Sequence, residues 1–271
     1  MSDLIYRRPD DYDLEHEDDD RDVQFYCELM RRLAPQRVLE LGGGSGRLTL
    51  ALAEFAPHMD SLIVGIDLEE AMLDRAREKA RGLDAAARER LRLLNGDMRS
   101  WTADEPFDLV LIPCSSITHL LTLDDRLAVW KRVHGNLRPG GRFVIDITMP
   151  NIRAFAESLQ TPPRALMEVD SDTTDPETGR RLVRYRATSF DAWRQRATIR
   201  FFYDRFEDGR HERYVSDFES HVYFPDELRL LFLHTGFEIE AVYGDYRFRE
   251  PRSSSREVVM VGRRLADRGG C

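Results

Sequence analysis

The run Val38-Leu39-Glu40-Leu41-Gly42-Gly43-Gly44-Ser45-Gly46 organises everything around it. An apolar strand, Arg37–Leu41, enters a loop in which every second residue is glycine, and a helical pattern over Ser45–Ala56 follows at once. Glycine permits positive φ and leaves the backbone bare, so a ligand can press against the chain while the helix's first N–H groups face it. The dinucleotide fingerprint G-x-G-x-x-G does not fit: its last position falls on Arg47 counted from Gly42, and on Thr49 counted from Gly44. No Gly-Lys-Ser/Thr follows, so a phosphate loop is disfavoured as well. Glu40 points the same way, because a carboxylate at the loop's entrance repels phosphate and welcomes an ammonium or sulfonium. A nicotinamide oxidoreductase is thereby disfavoured.

Working outward, short apolar runs alternate with helical patterns. Strands are expected at Ser61–Asp67, Leu91–Leu94, Phe107–Ile112 and Phe143–Ile147, and helices at Glu69–Arg81 and Asp124–Leu137. Arg138-Pro139-Gly140-Gly141 stops the last helix. Alternation of this kind implies βαβ units and a doubly wound, mostly parallel α/β sheet. After Pro150 the pattern changes. Leu182–Phe190, Thr198–Phe206 and Tyr214–Tyr223 are long, aromatic and β-branched, and read as an antiparallel insertion. Pro225–Thr235 returns to helix, and Phe237–Tyr243 with Glu257–Gly262 supply the last two of seven strands. Residues 171–180 are polar and are expected to be mobile. The chain thus divides into an acidic arm and helix (1–34), a core (35–150), an antiparallel insertion (151–224), a last helix and hairpin (225–263) and a tail (264–271).

Two carboxylates accompany the glycine loop. Asp67 ends the second strand, where it can accept hydrogen bonds from both hydroxyls of a ribose. It can equally cap the following helix. Asp97, in Asn95-Gly96-Asp97-Met98, follows the third strand, positioned for an adenine amino group, or is a plain turn residue.

As a set, Glu40-x-Gly42-x-Gly44-x-Gly46, Asp67 and Gly96-Asp97-Met98 resemble the first three motifs of class I S-adenosylmethionine-dependent methyltransferases. Phe107-Asp108-Leu109-Val110-Leu111-Ile112-Pro113-Cys114 resembles the fourth, and Leu137-Arg138-Pro139-Gly140-Gly141-Arg142-Phe143 the fifth. The resemblance covers residues 12–150 in order, and 225–263 resemble the family's last helix and reversed terminal hairpin. It implies a Rossmann-like seven-stranded sheet with a reversed last strand. It further implies that S-adenosylmethionine is bound and S-adenosylhomocysteine released. Glu40, Gly42, Gly44, Gly46 and Pro113 would surround the methionine moiety, Asp67 the ribose, and Leu68, Asp97 and Met98 the adenine.

Methyl transfer from a sulfonium is a direct displacement, helped chiefly by proximity and orientation. A general base is needed only for an acceptor that carries a proton. The end of strand four delivers Pro113, Cys114, Ser115 and then His119. The segment Ser115-Ser116-Ile117-Thr118-His119-Leu120 is similar to that of small-molecule methyltransferases, including amino-sugar N-methyltransferases, which also begin with a tyrosine-bearing arm like Tyr12-Asp13-Leu14-Glu15-His16. That resemblance implies catalytic roles for Tyr12, closing over the cofactor, and for His119, orienting or deprotonating the acceptor. The plainer reading of His119 is a residue that only caps or packs a short helix. Cys114 as a covalent nucleophile would define a C-methyltransferase, but a buried cysteine is more often a small hydrophobe. Ser115, Tyr185, Tyr203, His221, Tyr223 and Tyr243 are candidate acceptor contacts, with strand packing as the alternative for each aromatic. N- or O-methylation of a small molecule, of the kind secondary metabolism modifies, is favoured. A cofactor-binding protein without catalysis is the alternative.

The 271 residues carry a formal charge of −9. Residues 1–22 hold ten acids against Arg7, Arg8 and Arg21, so −7 of that charge sits in the arm. The balance argues against a nucleic-acid partner. There is no run long enough to span a membrane and no secretory h-region. Cys27, Cys114 and Cys271 are too far apart for a disulfide framework or a metal site. A reduced, cytoplasmic protein is expected, with the insertion as substrate lid or homodimer contact. The arm is expected either to draw cationic ligands towards the mouth or to be a solvated tail.

Overall fold

The chain begins with a 3-10 turn (Leu4–Arg7), helix α1 (Pro9–His16) and helix α2 (Arg21–Leu33). The computed structural model describes residues 4–16, 20–56, 61–160 and 167–266. By contacts the chain separates into two units, Met1–Asp19 with Pro150–Val222, and Asp20–Met149 with Tyr223–Cys271. Helix α1 belongs to the first and α2 to the second.

In the second unit the order is β1 (Arg37–Leu41), α3 (Arg47–Phe55), β2 (Leu62–Asp67), α4 (Glu70–Ala80), α5 (Ala85–Arg90), β3 (Leu91–Asn95), β4 (Phe107–Ile112), α6 (Leu123–Asn136) and β5 (Leu137–Thr148). In the first unit α7 (Ile152–Ser158), β6 (Met167–Thr174), β7 (Arg181–Asp191), β8 (Arg196–Glu207) and β9 (Arg210–His221) follow. The second unit resumes with α8 (Pro225–His234), β10 (Phe237–Tyr243) and β11 (Glu257–Arg264).

The seven-stranded sheet has the order β10-β11-β5-β4-β1-β2-β3. Only β11 is reversed, antiparallel to both β5 and β10. Strand order turns back between β1 and β4, the crevice where open α/β sheets place their ligands. All six residues of β4 are buried, as befits a parallel strand covered on both faces. Helix α2 docks through Phe25, Tyr26, Leu29 and Met30, an i, i+1, i+4, i+5 stripe. It ends at Ala34, whose positive φ lets its N–H reach Met30 O. Helix α6 starts at Thr122, whose hydroxyl accepts the Asp125 N–H, and buries Val129, Trp130 and Val133.

The first unit is an antiparallel sheet in the order β6-β7-β8-β9. Helix α7 packs Phe155 against Phe190, ring centroids 4.3 Å apart. The N-terminal segment packs Ile5 with Leu182, Tyr203 and Tyr214. Here two expectations are corrected. Residues 171–174, read as mobile, form the end of β6 in register with Arg181–Arg184. The described part of the acidic arm is not simply a solvated tail or a free lure for cations: Asp10 and Asp20 are exposed, but Asp11 and Glu15 turn inward on arginines of the sheet. Asp11 accepts the Tyr214 hydroxyl at 2.8 Å and lies 3.8–3.9 Å from Arg8, Arg180 and Arg205. Glu15 takes Arg184 at 2.8 Å, Ser171 Oγ at 3.1 Å and the Tyr203 hydroxyl at 3.2 Å. Asp3, Glu17, Asp18 and Asp19 lie outside the described residues. No described helix is long and apolar enough to cross a membrane.

Candidate functional site

At the carboxyl ends of β1 and β2 the glycine loop is laced to its neighbour strand. Gly42 and Gly43 both donate to Ile66 O at 2.9 Å, and Gly44 donates to Asp67 Oδ2 at 2.8 Å. Gly42, Gly44 and Gly46 hold φ of 78°, 53° and 83°, the left-handed region that a side chain strains. A Cβ on Gly42 would stand 3.1 Å from Ser116 and 3.6 Å from the Met98 methyl. Gly42 is therefore where the segments after β1, β3 and β4 converge. Asp67 also accepts the Glu69 N–H at 2.9 Å, but Glu69 is itself the N-cap of α4, so this bond shapes the turn before the helix and does not cap its first N–H groups. A carboxylate offers about four acceptor positions, and Asp67 keeps capacity for further donors. Burial raises its pKa. Leu68 beside it is 60% exposed, and Met98 is half-buried. A bare backbone cradle, a carboxylate with acceptor capacity and two apolar side chains fit an adenosyl group joined to an amino acid.

Glu40 lies beneath the loop, 2% exposed, and accepts the Thr49 hydroxyl from α3. Desolvation raises its pKa to about 7, against the opposing pull of Thr49 and Arg47. Asp97 is held by Arg99 through Nε and Nη2 at 2.6–3.0 Å, which lowers its pKa, and Arg99 also reaches Asp125 at 3.1 Å. Any adenine contact by Asp97 must share its carboxylate with that guanidinium. Asp108, within the fourth motif, is a clip at the opposite end of the strand, accepting the Gln36 and Arg37 N–H groups and Arg138.

After Ile112 and the buried Pro113 the chain makes two consecutive left-handed residues, Cys114 (φ 55°) and Ser115 (φ 58°). Non-glycine residues seldom adopt this conformation, and Asp146 on β5 accounts for it. Its carboxylate accepts the N–H groups of Cys114 at 3.2 Å and Ser115 at 3.3 Å, together with the hydroxyls of Tyr26 at 2.5 Å and Tyr246 at 3.1 Å. Asp146 is 1% exposed, and burial raises its pKa to about 6. The Cys114 thiol donates to Asp22 Oδ2 at 3.2 Å and meets Arg47 Nη2 at 3.0 Å, while Asp22 and Arg47 form a bidentate pair. Although Cys114 has accessible surface, desolvation and the carboxylates of Asp146 and Asp22 hold its pKa well above that of an ordinary thiol. It is a neutral thiol at physiological pH, the opposite of an activated nucleophile.

His119 ends the 3-10 turn Ser116–His119. It keeps accessible surface, yet the protein atoms around it lower its pKa, so its imidazole is neutral and able to accept a proton. Asp146, Asp22, Arg47 and Tyr26 are absent from the sequence-derived set. The one signal for them is Asp146 itself, a carboxylate inside the apolar strand Phe143–Ile147.

Other candidates are occupied by packing. Tyr203 is fully buried, stacked on Tyr214 at 4.6 Å with its hydroxyl on Glu15. Tyr223, 2% exposed, donates to Ile117 O, and His221 is equally buried. All three are enclosed by the surrounding packing. Tyr185 is half-buried on β7 opposite Phe202. Tyr243 is half-buried in edge contact with Phe25 and Phe248. Tyr12 lies in the first unit, stacked on His16 at 4.2 Å.

Residues 38–141 match the family model described as a methyltransferase domain. The putative methyltransferase YqeM of Bacillus subtilis is 27% identical over 228 residues, 82% of this chain and 81% of that protein. Among solved structures, an S-adenosylmethionine-dependent methyltransferase from Clostridium acetobutylicum superposes with a TM-score of 0.73 at 19% identity, covering 94% of this chain and 96% of that one. The sugar N-methyltransferase KedS8 from Streptoalloteichus sp superposes with a TM-score of 0.68 at 19% identity, covering 94% and 93%. At such identity these two structures establish likeness of fold. Fold, glycine loop and family match together show a methyltransferase domain over residues 38–141. This chain is an S-adenosylmethionine-dependent methyltransferase.

The state of Glu40 has a measurable consequence. With its pKa near 7, the free protein at pH 6 holds a largely protonated Glu40, whereas a cationic cofactor favours the carboxylate. Affinity for S-adenosylmethionine should therefore rise about fivefold between pH 6 and pH 7.5, with proton release on binding at the lower pH. Calorimetry in buffers of different ionisation enthalpy checks this. The E40Q variant should bind more weakly and show a flat profile.

Proposed function

We propose that this enzyme methylates nitrogen or oxygen of a small organic acceptor by direct in-line transfer, in secondary metabolism. The observation that carries this is the convergence at Gly42 of the glycine loop, Met98 and Ser116, beside a post-β4 turn whose only thiol is neutral. When bound, the cofactor supplies an electrophilic methyl group on a sulfonium. An acceptor lone pair then forms the new bond to that carbon as the sulfur–carbon bond breaks, which leaves the thioether S-adenosylhomocysteine. Gly42, Gly44, Gly46, Glu40 and Pro113 would hold the methionine portion, Asp67 the ribose, and Leu68, Met98 and the shared Asp97 the adenine. His119, with its neutral imidazole, would take the proton from an acceptor that carries one. Ser115 would orient the acceptor. The homodimer expected through the antiparallel sheet draws support from the exposed Met167, Val169 and Trp193 of that unit.

Transfer of labelled methyl from S-adenosylmethionine to panels of small amines and alcohols, with protein and RNA as controls, tests the reading. Product only on macromolecules, or on no acceptor at all, would overturn it. Two variants refine it. Cys114→Ala should retain turnover within about threefold, because no covalent intermediate is formed. His119→Ala should lower kcat by roughly 10²-fold or more for a protonated acceptor, and should remove the acidic limb of the pH profile. A C114A enzyme that cannot transfer would restore the covalent route.

A further inference from the structure

Strand β10 runs parallel to β5, because both are antiparallel to β11. The connection 244–256 therefore leaves the sheet at the end that carries the glycine loop and Cys114. It encloses a cavity of about 400 Å³ lined by Arg21, Arg247, Arg249, Arg252 and Arg256. Three carboxylates share the lining, Asp245, Glu250 and Glu257, with the hydroxyls of Ser254 and Ser255. Arg249 is consumed by Asp245, Nε to Oδ2 at 2.6 Å. The guanidinium groups of Arg247, Arg252 and Arg256 have no ion pair among the described residues, although most surface arginines of this chain are paired.

The loop is built to stay in place. Asp245 accepts the N–H groups of Arg247 and Arg249, and Gly244 donates to Arg249 O at 2.8 Å. Ser255 Oγ accepts the Arg252 N–H at 3.0 Å. Phe248 stacks on Phe25 at 4.3 Å and lies under the Arg32 guanidinium at 3.9 Å. Gly244 leaves no room for a Cβ, which would strike Ser255 and Pro251. One wall is Tyr246, whose hydroxyl reaches Asp146, the residue that holds the Cys114–Ser115 turn. Like charges gathered on a fixed loop repel one another, and a protein of net charge −9 has no general need of a basic concavity. An oxyanion relieves that repulsion, and the planar arginine fork suits carboxylate and phosphate equally.

We propose that this cavity takes the anionic end of the methyl acceptor, so that the substrate is a small molecule carrying a carboxylate or a phosphate ester. The assignment rests on the reading that this end of the sheet receives the acceptor. Titration calorimetry of the full chain at low ionic strength, with inorganic pyrophosphate and with citrate as probes, tests it. The triple variant R247Q/R252Q/R256Q changes exposed side chains only and spares the Arg249–Asp245 pair. Wild-type protein should bind at least one probe, and the triple variant should lose tenfold or more. An R153Q/R229Q control at exposed arginines elsewhere should keep wild-type affinity. Tighter binding of pyrophosphate assigns a phosphate ester, and tighter binding of citrate a carboxylate. Equal loss in the control, no loss in the triple variant, or no binding of either probe overturns the site. S-adenosylmethionine is titrated in parallel and should bind the triple variant within twofold of wild type. If wild-type protein fails to bind it, the methyltransferase reading falls while the anion result still stands or falls on its own.

Discussion

Asp67→Ala should lower affinity for S-adenosylmethionine at least 10²-fold while the protein stays folded. The carboxylate would accept two ribose hydroxyls, and a hydrogen bond to a charged acceptor contributes about 1.5–3 kcal/mol. Two of them together correspond to a factor of roughly 10² to 10⁴ in Kd. The substitution also frees the Gly44 N–H, which now donates to Oδ2 at 2.8 Å, so the cradle loses an anchor along with a ligand contact. Asp67→Asn keeps one carbonyl acceptor and should fall between wild type and Asp67→Ala. Stability changes less, because a partly buried carboxylate whose pKa is raised by desolvation carries an ionisation cost that alanine lacks. Calorimetric titration with S-adenosylhomocysteine, beside a thermal melt, separates the two effects. Affinity of the alanine variant within threefold of wild type would reduce Asp67 to a structural turn residue.

The parts of this fold that were legible in the sequence are those whose cause is local. β1, β4 and β10 have the bounds their apolar runs predict: β1 and β4 because strands buried on both faces must be apolar, and β10, a half-buried edge strand, because turn residues delimit it. The glycine loop and Asp67 are legible for the same reason, as each is a strand end with a turn attached. α5 was missed because Ala85–Arg90 offers no apolar stripe; only Asp84, accepting the Ala87 N–H at 2.6 Å, announces it. Residues 171–174 of β6 read as mobile because an edge strand needs one partner and little burial, and these residues are accordingly polar.

The acidic segment illustrates the other limit. A run of carboxylates reads as solvated unless its partners are known, and those of Asp11 and Glu15 lie some 170 to 200 residues away, at Arg180, Arg184 and Arg205. The polar cluster behind Cys114 was hidden in the same manner. It draws Asp22 and Tyr26 from α2, Arg47 from α3, Asp146 from β5 and Tyr246 from the last hairpin, and no two of these segments share a recognisable motif.

That cluster carries the second large effect. Asp146→Ala should destabilise the protein by about 3 kcal/mol or more at pH 7. It leaves four donors without their acceptor: two tyrosine hydroxyls and the N–H groups of Cys114 and Ser115. A buried donor deprived of its partner costs about 1–3 kcal/mol. Set against that is the ionisation cost that disappears. Asp146 has its pKa raised to about 6, so its contribution to stability is full below the unfolded value near 4 and is lost as pH rises through 6. At pH 7 the relief is about 2–3 kcal/mol by this arithmetic, and the four orphaned donors outweigh it. At pH 4.5 the relief falls to about 1 kcal/mol and the destabilisation should be larger, the sign that distinguishes a structural carboxyl from an ion-pair partner. The function should suffer as well. Left-handed Cys114 and Ser115 cost about 1–2 kcal/mol each, and without Asp146 the turn has no reason to hold them. Methyl transfer should therefore drop by more than tenfold, with affinity for S-adenosylmethionine within threefold of wild type. Tyr26→Phe and Tyr246→Phe each remove a donor together with its need, so they should cost about 1 kcal/mol or less and leave turnover near normal. Denaturant melts at pH 7 and 4.5, with single-turnover rates, check the set. Unchanged transfer in a folded Asp146→Ala protein would show that the turn after β4 keeps its shape without the carboxylate.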